Sequence, residues 1–407
     1  MKILVLNCGS SSVKYQLFDL DDQVETVLAS GIVEEVGLGN PSMTHKRPGH
    51  DNVVQVDLPI KDHRDAIQLV LDMLVNPEHG ALGGVQELEA VGHRVVHGGE
   101  RFAESVRISG EVLQALYDNI PLAPLHNPPN IQGIEAVTAL LPDVPQVGVF
   151  DTAFHQTMEP HFYLYAIPYR FYEKYGIRRY GFHGTSHKYV ARRAAEFLEL
   201  PLSELKIVTC HLGNGASVTA VCRGQSIMTS MGFTPLEGLV MGTRCGDLDP
   251  AIVWFLMEQE GLDIEGIDHL LNKESGVLGL SELSSDMRTF EEAIHAGPEH
   301  PHYQRSMLVL KHYTERVKRY IGAYAAAMEG LDCVVFTGGI GENFREVCDW
   351  SCRGLEFLGI EGVEARRAGG QIVEISAPRS KTRVLIVPTN EELAIARDTY
   401  EIVERGG

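Results

Sequence analysis

The chain has 407 residues, 44% of them hydrophobic and 22% charged, with a formal net charge of −20. That length exceeds one ordinary core and makes two domains the natural reading. The acidic balance argues against a nucleic acid or an anionic membrane as partner. No apolar stretch approaches the roughly 20 residues of a membrane span. The first apolar run, Ile3 to Leu6, stops at Asn7, short of the roughly 7–15 residues of a signal-peptide core. The seven cysteines are scattered without a CxxC pair, and Cys348 and Cys352 have no zinc-type spacing. Reduced thiols in the cytoplasm are therefore expected.

Short apolar runs alternate with helical patterns along the chain, the signature of an α/β protein. Strands are expected over Lys2–Leu6, Val13–Phe18, Val24–Gly31, Val53–Leu58, Ala90–Val96 and Gln146–Phe150, then over Lys206–His211, Ser217–Cys222, Cys333–Thr337 and Val384–Val387. Helices are expected over His63–Leu74, Gly110–Asn119, Ile131–Leu141, Ser186–Leu198, Pro250–Glu260, Met287–Ala296, Tyr303–Met328 and Glu391–Glu404. The long amphipathic stretch Tyr303–Met328 reads as crossing a domain face or a subunit contact. There is an internal echo: "CGSSSVKYQL" at Cys8–Leu17 resembles "LGNGASVTAV" at Leu212–Val221, roughly half the chain away. Each is strand, Gly-rich turn, then Ser-Val opening a strand. Two related halves, each giving one hairpin to a shared cleft, explain it. The expected domains are residues 1–150 with 388–407, and residues 151–387.

Three glycine turns follow strands. Around Gly9, Ser10, Ser11 and Ser12, backbone N–H groups and hydroxyls make an anion nest, with Lys14 adding a point charge. A plain hairpin with exposed serines is the other reading. "HLGNGASV" at His211–Val218 is weaker alone, since Asn-Gly is also a common tight turn. "FTGGIGEN" at Phe336–Asn343 follows a β-branched strand and precedes a helix, a good place for phosphate. Together they suggest a nucleotide held between two lobes.

Cations and histidines gather elsewhere. "GHRVVHGGE" places Arg94 at a strand end between His93 and His97, and its planar fork suits a carboxylate or phosphate. "YGFHGTSH" puts His183 in a glycine-flanked turn, with Thr185-Ser186 expected to cap a helix. "MGTRCGDLDP" sets Arg244 among glycines; it reads as a mobile guanidinium or as a loop arginine paired with Asp247 or Asp249. Asp151 ends a buried-type strand, where a Mg²⁺-side acid is usual. "PTNEELAIA" starts a helix, and Thr389 as N-cap with Glu392 as its box partner would explain those acids without a metal.

Taken in order, "NCGSSSVKYQLFD", "GHRVVHGG", "FHGTSH", "LGNGAS", "MGTRCGDLDP", "FTGGIGEN" and "PTNEELAIARDT" resemble the acetokinase family over nearly the whole chain. That family includes acetate, propionate and butyrate kinases and falls within the sugar kinase, heat-shock chaperone ATPase and actin superfamily. The resemblance implies two ribonuclease H-like lobes of mixed sheet plus helices, ATP or ADP with Mg²⁺ (Mn²⁺ can substitute) in the interlobe cleft, and a homodimer. It implies Asn7 and Glu391 at the metal. It puts Ser10, Ser12 and Lys14 at the first phosphate loop. Arg94 would bind the substrate carboxylate, and Asp151, His183 and Arg244 would serve catalysis. Nucleotide contacts would come from His211, Leu212, Gly213, Asn214 and Gly215, from Asp286, Met287 and Arg288, and from Gly339, Ile340, Gly341, Glu342 and Asn343. A small pocket for a methyl group would be formed by Val96, Leu125, Phe182 and Pro235. Only Gly297–Gln304 departs, as a local insertion.

The implied reaction is reversible, Mg²⁺-dependent phosphoryl transfer from ATP to acetate. A carboxylic acid with a pKa of roughly 4 to 5 is ionised at neutral pH and needs no general base. Asp151 is therefore expected to position Mg²⁺ or its waters. The cations would offset repulsion between a carboxylate and a polyphosphate. A chaperone- or actin-like ATPase and a noncatalytic nucleotide sensor are the alternatives, and the joint presence of Arg94, His183 and Arg244 argues against both.

Overall fold

Two contact-defined units make up the computed structural model, which describes residues 1–21, 24–364 and 368–406. The first comprises Met1–Gln156 and Asn390–Gly407, of which Gly407 lies outside the described residues; the second is Thr157–Thr389.

The first unit carries strands β1 (Lys2–Cys8), β2 (Ser12–Leu20), β3 (Glu25–Glu34), β4 (Ser42–Lys46), β5 (Val53–Gln55), β6 (Ala90–Val95), β7 (Val106–Arg107) and β8 (Gln146–Phe150). They form one sheet in the order β5-β4-β3-β2-β1-β6-β8-β7. Strands β1, β2 and β3 run as an antiparallel meander, whereas β6 pairs parallel to β1 and β8 parallel to β6. Every residue of β8 is buried, as suits a strand covered on both faces. Helices His63–Leu74 and Asn127–Leu140 pack together, and Ile67, Val70 and Leu74 join Leu4, Leu6 and Leu17 in one core cluster. A second cluster holds Leu116, Ile131 and Ile134 with Phe102 and Phe150, whose rings stack at 4.6 Å.

The second unit repeats the plan. Strands β9 (Lys206–Leu212), β10 (Ala216–Cys222), β11 (Gln225–Thr229), β12 (Cys333–Thr337), β13 (Val373–Glu374) and β14 (Arg383–Ile386) pair in the order β11-β10-β9-β12-β14-β13. Again a three-strand meander is followed by two parallel strands, β12 beside β9 and β14 beside β12. The internal echo has a structural counterpart: its first copy spans the β1–β2 turn, and its second the β9–β10 turn. In the first, the Gly9 N–H donates to Ser12 O at 2.8 Å; in the second, the Gly213 N–H donates to Gly215 O at 3.0 Å.

Helix Tyr303–Ala327 lies across a face of the second unit. It buries Val309, Leu310, Tyr313, Val317, Ile321 and Tyr324 at helical spacing and packs on β9, β10 and the helices Met287–His295 and Arg345–Cys352. Its stripe is consumed inside the second unit. The run expected over Val53–Leu58 is a strand only to Gln55, because Asp57 takes a left-handed φ of 54° and the Leu58 N–H turns to Pro41 O at 3.1 Å. Strands β4, β7, β11 and β13 and the short helix Gly338–Asn343 fall outside the expected elements, whereas helix Arg345–Cys352 follows the glycine turn as expected. The strands among them are five residues long or shorter, too short for a clear period.

The last helix, Glu391–Arg405, packs on β1, β2, β6 and β8. It is capped by Asn390, whose side chain accepts from the Leu393 N–H at 3.0 Å, and not by Thr389. Gly92 on β6 permits this packing, since a Cβ there would lie 2.5 Å from Thr399 Oγ1 and 2.8 Å from Ile395 Cγ2. The Gly92→Ala variant is therefore expected to lose about 1–3 kcal/mol by overpacking. Urea unfolding of the two proteins checks this, and equal midpoints would refute the packing argument.

Candidate functional site

In the first unit the parallel strands end side by side, and the residues just past their ends are polar. Asn7 of β1 is in register with Lys14 of β2. Arg94 of β6 points to Asp151, which follows β8 and is fixed by its own N–H donating to Val95 O at 3.0 Å. The guanidinium engages Asp151 by one edge: Nε donates to Oδ1 at 3.1 Å and Nη2 to Oδ2 at 2.7 Å. The adjacent Asp151 charge holds the Arg94 guanidinium firmly protonated. Its Nη1 has no hydrogen-bond partner among the described residues.

The carboxylates of the last helix complete this group. Glu391 Oε2 lies 3.9 Å from Arg94 Nε, and Glu392 pairs with Lys14 Nζ. Burial raises the Glu391 pKa, opposed by Arg94 and reinforced by the charges of Asp151 and Glu392. A cation would relieve that strain. The Asn7 side-chain amide has no hydrogen-bond partner among the described residues, so an amide oxygen and a carboxylate are available as hard donors. Those two residues thus fit a Mg²⁺ ion.

Residues without a motif hold this arrangement. The Asn130 side chain accepts from the Val96 N–H at 3.0 Å and donates to Cys8 O at 2.8 Å, tying the ends of β6 and β1 together. His63 Nε2 donates to Gly9 O at 2.7 Å, fixing the serine turn from below. Ser10 is exposed and Ser12 half-buried. Val96 is half-buried, and Leu125 stands 68% exposed in the segment before helix Asn127–Leu140.

In the second unit, His183 takes a left-handed φ of 57°, an uncommon conformation for a non-glycine residue. It precedes helix Gly184–Leu198 and makes no side-chain cap bond. Thr185 and Ser186 lie inside the helix and do not cap it. Ser186 instead bonds the His211 Nδ1 at 2.8 Å and Thr389 Oγ1 at 2.9 Å. The His183 ring stacks on His211 with centroids 4.3 Å apart, and its Nδ1 meets Ser217 Oγ at 2.9 Å. Ser217 also meets His187 Nε2 at 2.8 Å, and His187 Nδ1 meets Thr209 Oγ1 at 2.7 Å. This chain of hydrogen bonds fixes the His183 ring plane from inside the sheet. Phe182 beside it is buried.

Arg244 comes to the same place from another loop. A Cβ on Gly215 would lie 3.4 Å from His183 Nε2 and 3.7 Å from Arg244 Nη1, so both side chains close on the β9–β10 turn. The Arg244 Nη1 donates to Pro235 O at 3.2 Å and contacts Met241 Sδ. It has no carboxylate partner among the described residues, and burial lowers its pKa. The pairing with Asp247 or Asp249 does not form. Asp247 accepts from the Gly238 N–H and the Tyr320 hydroxyl, and Asp249 from the Ala251 N–H. A half-buried guanidinium without a counter-ion is an anion site in waiting.

Beside it lies a cavity of about 670 Å³. Gly213 and Asn214 reach it from the β9–β10 turn, Asp286, Met287 and Arg288 from the start of helix Met287–His295, and Gly339, Ile340 and Asn343 from helix Gly338–Asn343. Its volume falls in the range of small-molecule sites. His211, Leu212, Gly215, Gly341 and Glu342, also expected at the nucleotide, do not line it. The Glu342 carboxylate is spent on the N–H groups of Gly338 at 3.0 Å and Thr389 at 3.2 Å. Phe344, Glu291, Glu292 and His295 line it without having been foreseen.

A duplicated mixed sheet, with loops loaded with cations and glycines at its parallel strand ends, defines an α/β protein of the ribonuclease H-like class. A sequence model of the acetokinase family matches residues 2–397, and the chain belongs to that family. It is 56% identical over 405 residues to a protein named acetate kinase from Clostridioides difficile, covering 99% of this chain and all of the relative. Its fold matches the crystal structure of Porphyromonas gingivalis acetate kinase with a TM-score of 0.93, 48% identity and 99% of each chain covered. A propionate kinase from Francisella tularensis matches with a TM-score of 0.89 and 39% identity over 98% of this chain and 99% of that one.

His93, next to Arg94, is buried, and burial pushes its pKa down to about 4, with Nε2 donating to Gln146 Oε1 at 2.8 Å. An unfolded histidine titrates near 6.5. Between these values the unfolded chain binds more protons, so this contribution is complete above about pH 6.5 and is lost as pH falls towards about 4. Denaturant unfolding across that window should show up to about 3 kcal/mol more acid loss in the native chain than in His93→Gln. Parallel pH profiles for the two proteins would refute it.

Proposed function

We propose that this chain is an acetate kinase, transferring the γ-phosphoryl group of ATP reversibly to acetate to give acetyl phosphate and ADP. The observation that carries the reading is Arg244: a half-buried guanidinium beside His183, over a glycine turn, with no carboxylate of its own. Acetate is ionised at neutral pH, so no group has to take a proton from it. Asp151, expected at Mg²⁺ or its waters, takes another part in this reading. Both its oxygens accept from Arg94, so its role is to hold that guanidinium, leaving Nη1 for the substrate carboxylate. Arg244 and His183 act on the transferring phosphoryl group, where charge stabilisation and positioning supply most of the catalysis. Asn7 and Glu391 would hold Mg²⁺, which when bound neutralises phosphate charge; Mn²⁺ takes the same oxygen donors. The serine turn with Lys14 contacts phosphates, and the cavity by Asp286 and Gly339 takes the nucleoside.

In this reading the family resemblance assigns Val96, Leu125, Phe182 and Pro235 to the acetate methyl group. One methylene is worth only about 1–3 kcal/mol in such a pocket, so weak propionate turnover accompanies acetate turnover. Trapping acyl phosphate with hydroxylamine tests the proposal. Acetate should give a higher kcat/KM than propionate or butyrate, and the Arg244→Ala variant should lose about 10³–10⁵ in kcat with a much smaller rise in acetate KM. Absence of acyl hydroxamate, a preference for the longer acids, or an effect confined to KM would each overturn it.

The homodimer is part of the same proposal. Helix Ala251–Glu260 buries none of its residues, although it reads AIVWFLM, and Trp254 and Phe255 are 62% and 59% exposed. Such an apolar face is what a self-complementary contact uses. Sedimentation should give two copies for the native chain and a shift to one for Trp254→Glu; a native monomer would refute it. A reducing cytoplasmic setting is supported by seven unpaired cysteines, five of them buried. No helix among the described residues is long and apolar enough to cross a membrane.

A further inference from the structure

An imidazole and two carboxylates stand together at the edge of the cavity, and none of them has a part in the reaction proposed above. Glu291 and His295 sit one turn apart on helix Met287–His295, which puts both on one face. Glu346 belongs to the first turn of helix Arg345–Cys352. One ligand atom from each lies within 4.8 Å of the other two. His295 Nε2 is 2.7 Å from Glu346 Oε1. The second Glu346 oxygen, Oε2, is buried and has no hydrogen-bond partner among the described residues. One imidazole N–H serves a single acceptor, so the pair leaves this oxygen at a desolvation cost that a plain salt bridge does not remove.

We propose that Glu291, His295 and Glu346 form a binding site for a divalent transition-metal ion of the Zn²⁺ type. Three protein ligands with one nitrogen and two carboxylate oxygens leave further coordination positions open, as in zinc sites that keep a water. Imidazole selects such an ion over Mg²⁺, which prefers oxygen and its own waters. This separates the site from the Asn7 and Glu391 pair. On binding, His295 Nε2 exchanges its proton for the metal and the proton leaves to solvent. The ion then ties helix Met287–His295 to helix Arg345–Cys352 through ligands from both helices. The site does not rest on the cavity being a nucleotide site.

Calorimetric titration of Zn²⁺ into the tag-free chain, in excess Mg²⁺ and without nucleotide, tests the proposal. Excess Mg²⁺ occupies the hard-oxygen sites and leaves the nitrogen-containing one. One tightly bound Zn²⁺ per chain is expected, with a rise in Tm because the ion binds the folded state. His295→Ala should lose that equivalent, and Glu346→Gln should weaken it by at least about tenfold. Circular dichroism establishes that each variant is folded. No Zn²⁺ uptake by the native chain, or unchanged uptake by His295→Ala, overturns the proposal. If His295→Ala does not fold, unchanged affinity in Glu346→Gln overturns it.

Discussion

A guanidinium withdrawn from water normally takes a carboxylate with it, because an unpaired buried charge is costly. Arg244 is held without one, and much of the second unit is arranged to keep it so. The nearby acids are spent elsewhere: Asp247 on Gly238 and Tyr320, Asp249 on its own helix. Backbone crowding fixes the loop. A Cβ on Gly276, at a φ of +66°, would lie 2.2 Å from Met241 O and 2.8 Å from Arg244 O. The result is positive potential aimed at a glycine turn, which is what a developing phosphoryl charge requires and what a structural ion pair would cancel.

The first unit solves the opposite problem. Arg94 has too many acidic neighbours, not too few, and the geometry decides which edge they take. Strands β6 and β8 run parallel with Arg94 opposite Val149, so Asp151, two residues on, falls beside the guanidinium. It receives Nε and Nη2 and fixes the plane of the fork. Parallel strands bring their carboxyl ends to one edge of a sheet, and ligand-binding groups collect there in open α/β sheets. Both units use that rule, which explains why one hairpin pattern, glycine turn after strand, appears twice in the chain. The same crowding of acids recurs at Glu291 and Glu346, where a histidine, His295, stands with them.

Short motifs reached the glycine turns, the strand-end cations and most of the cavity wall because glycine at a turn and a cation at a strand end are local signals. They failed where a residue acts through a distant partner. Asn130 bridges Val96 and Cys8, yet in the chain it is one asparagine in a helix. Ser217 and Thr209 orient His183 and His187 from within strands that read simply as buried. Thr185, Ser186 and Thr389 looked like helix caps because hydroxyls near a helix start usually are. His183 takes a left-handed conformation at that position and Asn390 supplies the cap at the other, so two of the three hydroxyls, Ser186 and Thr389, serve the histidine network.

The order of apolar runs, the glycines and the cations were enough to determine an α/β chain of two related halves that meets anions, and the motif set placed it in its family. Periodicity and turn chemistry act over a few residues, so they survive in a linear reading. Which edge of Arg94 stays open, and that among the described residues Arg244 lacks a carboxylate and Glu346 leaves an oxygen without a donor, were decided only in the folded chain. Each is a matter of which groups compete for one another across long sequence separations, and burial sets that competition only once the strands are paired.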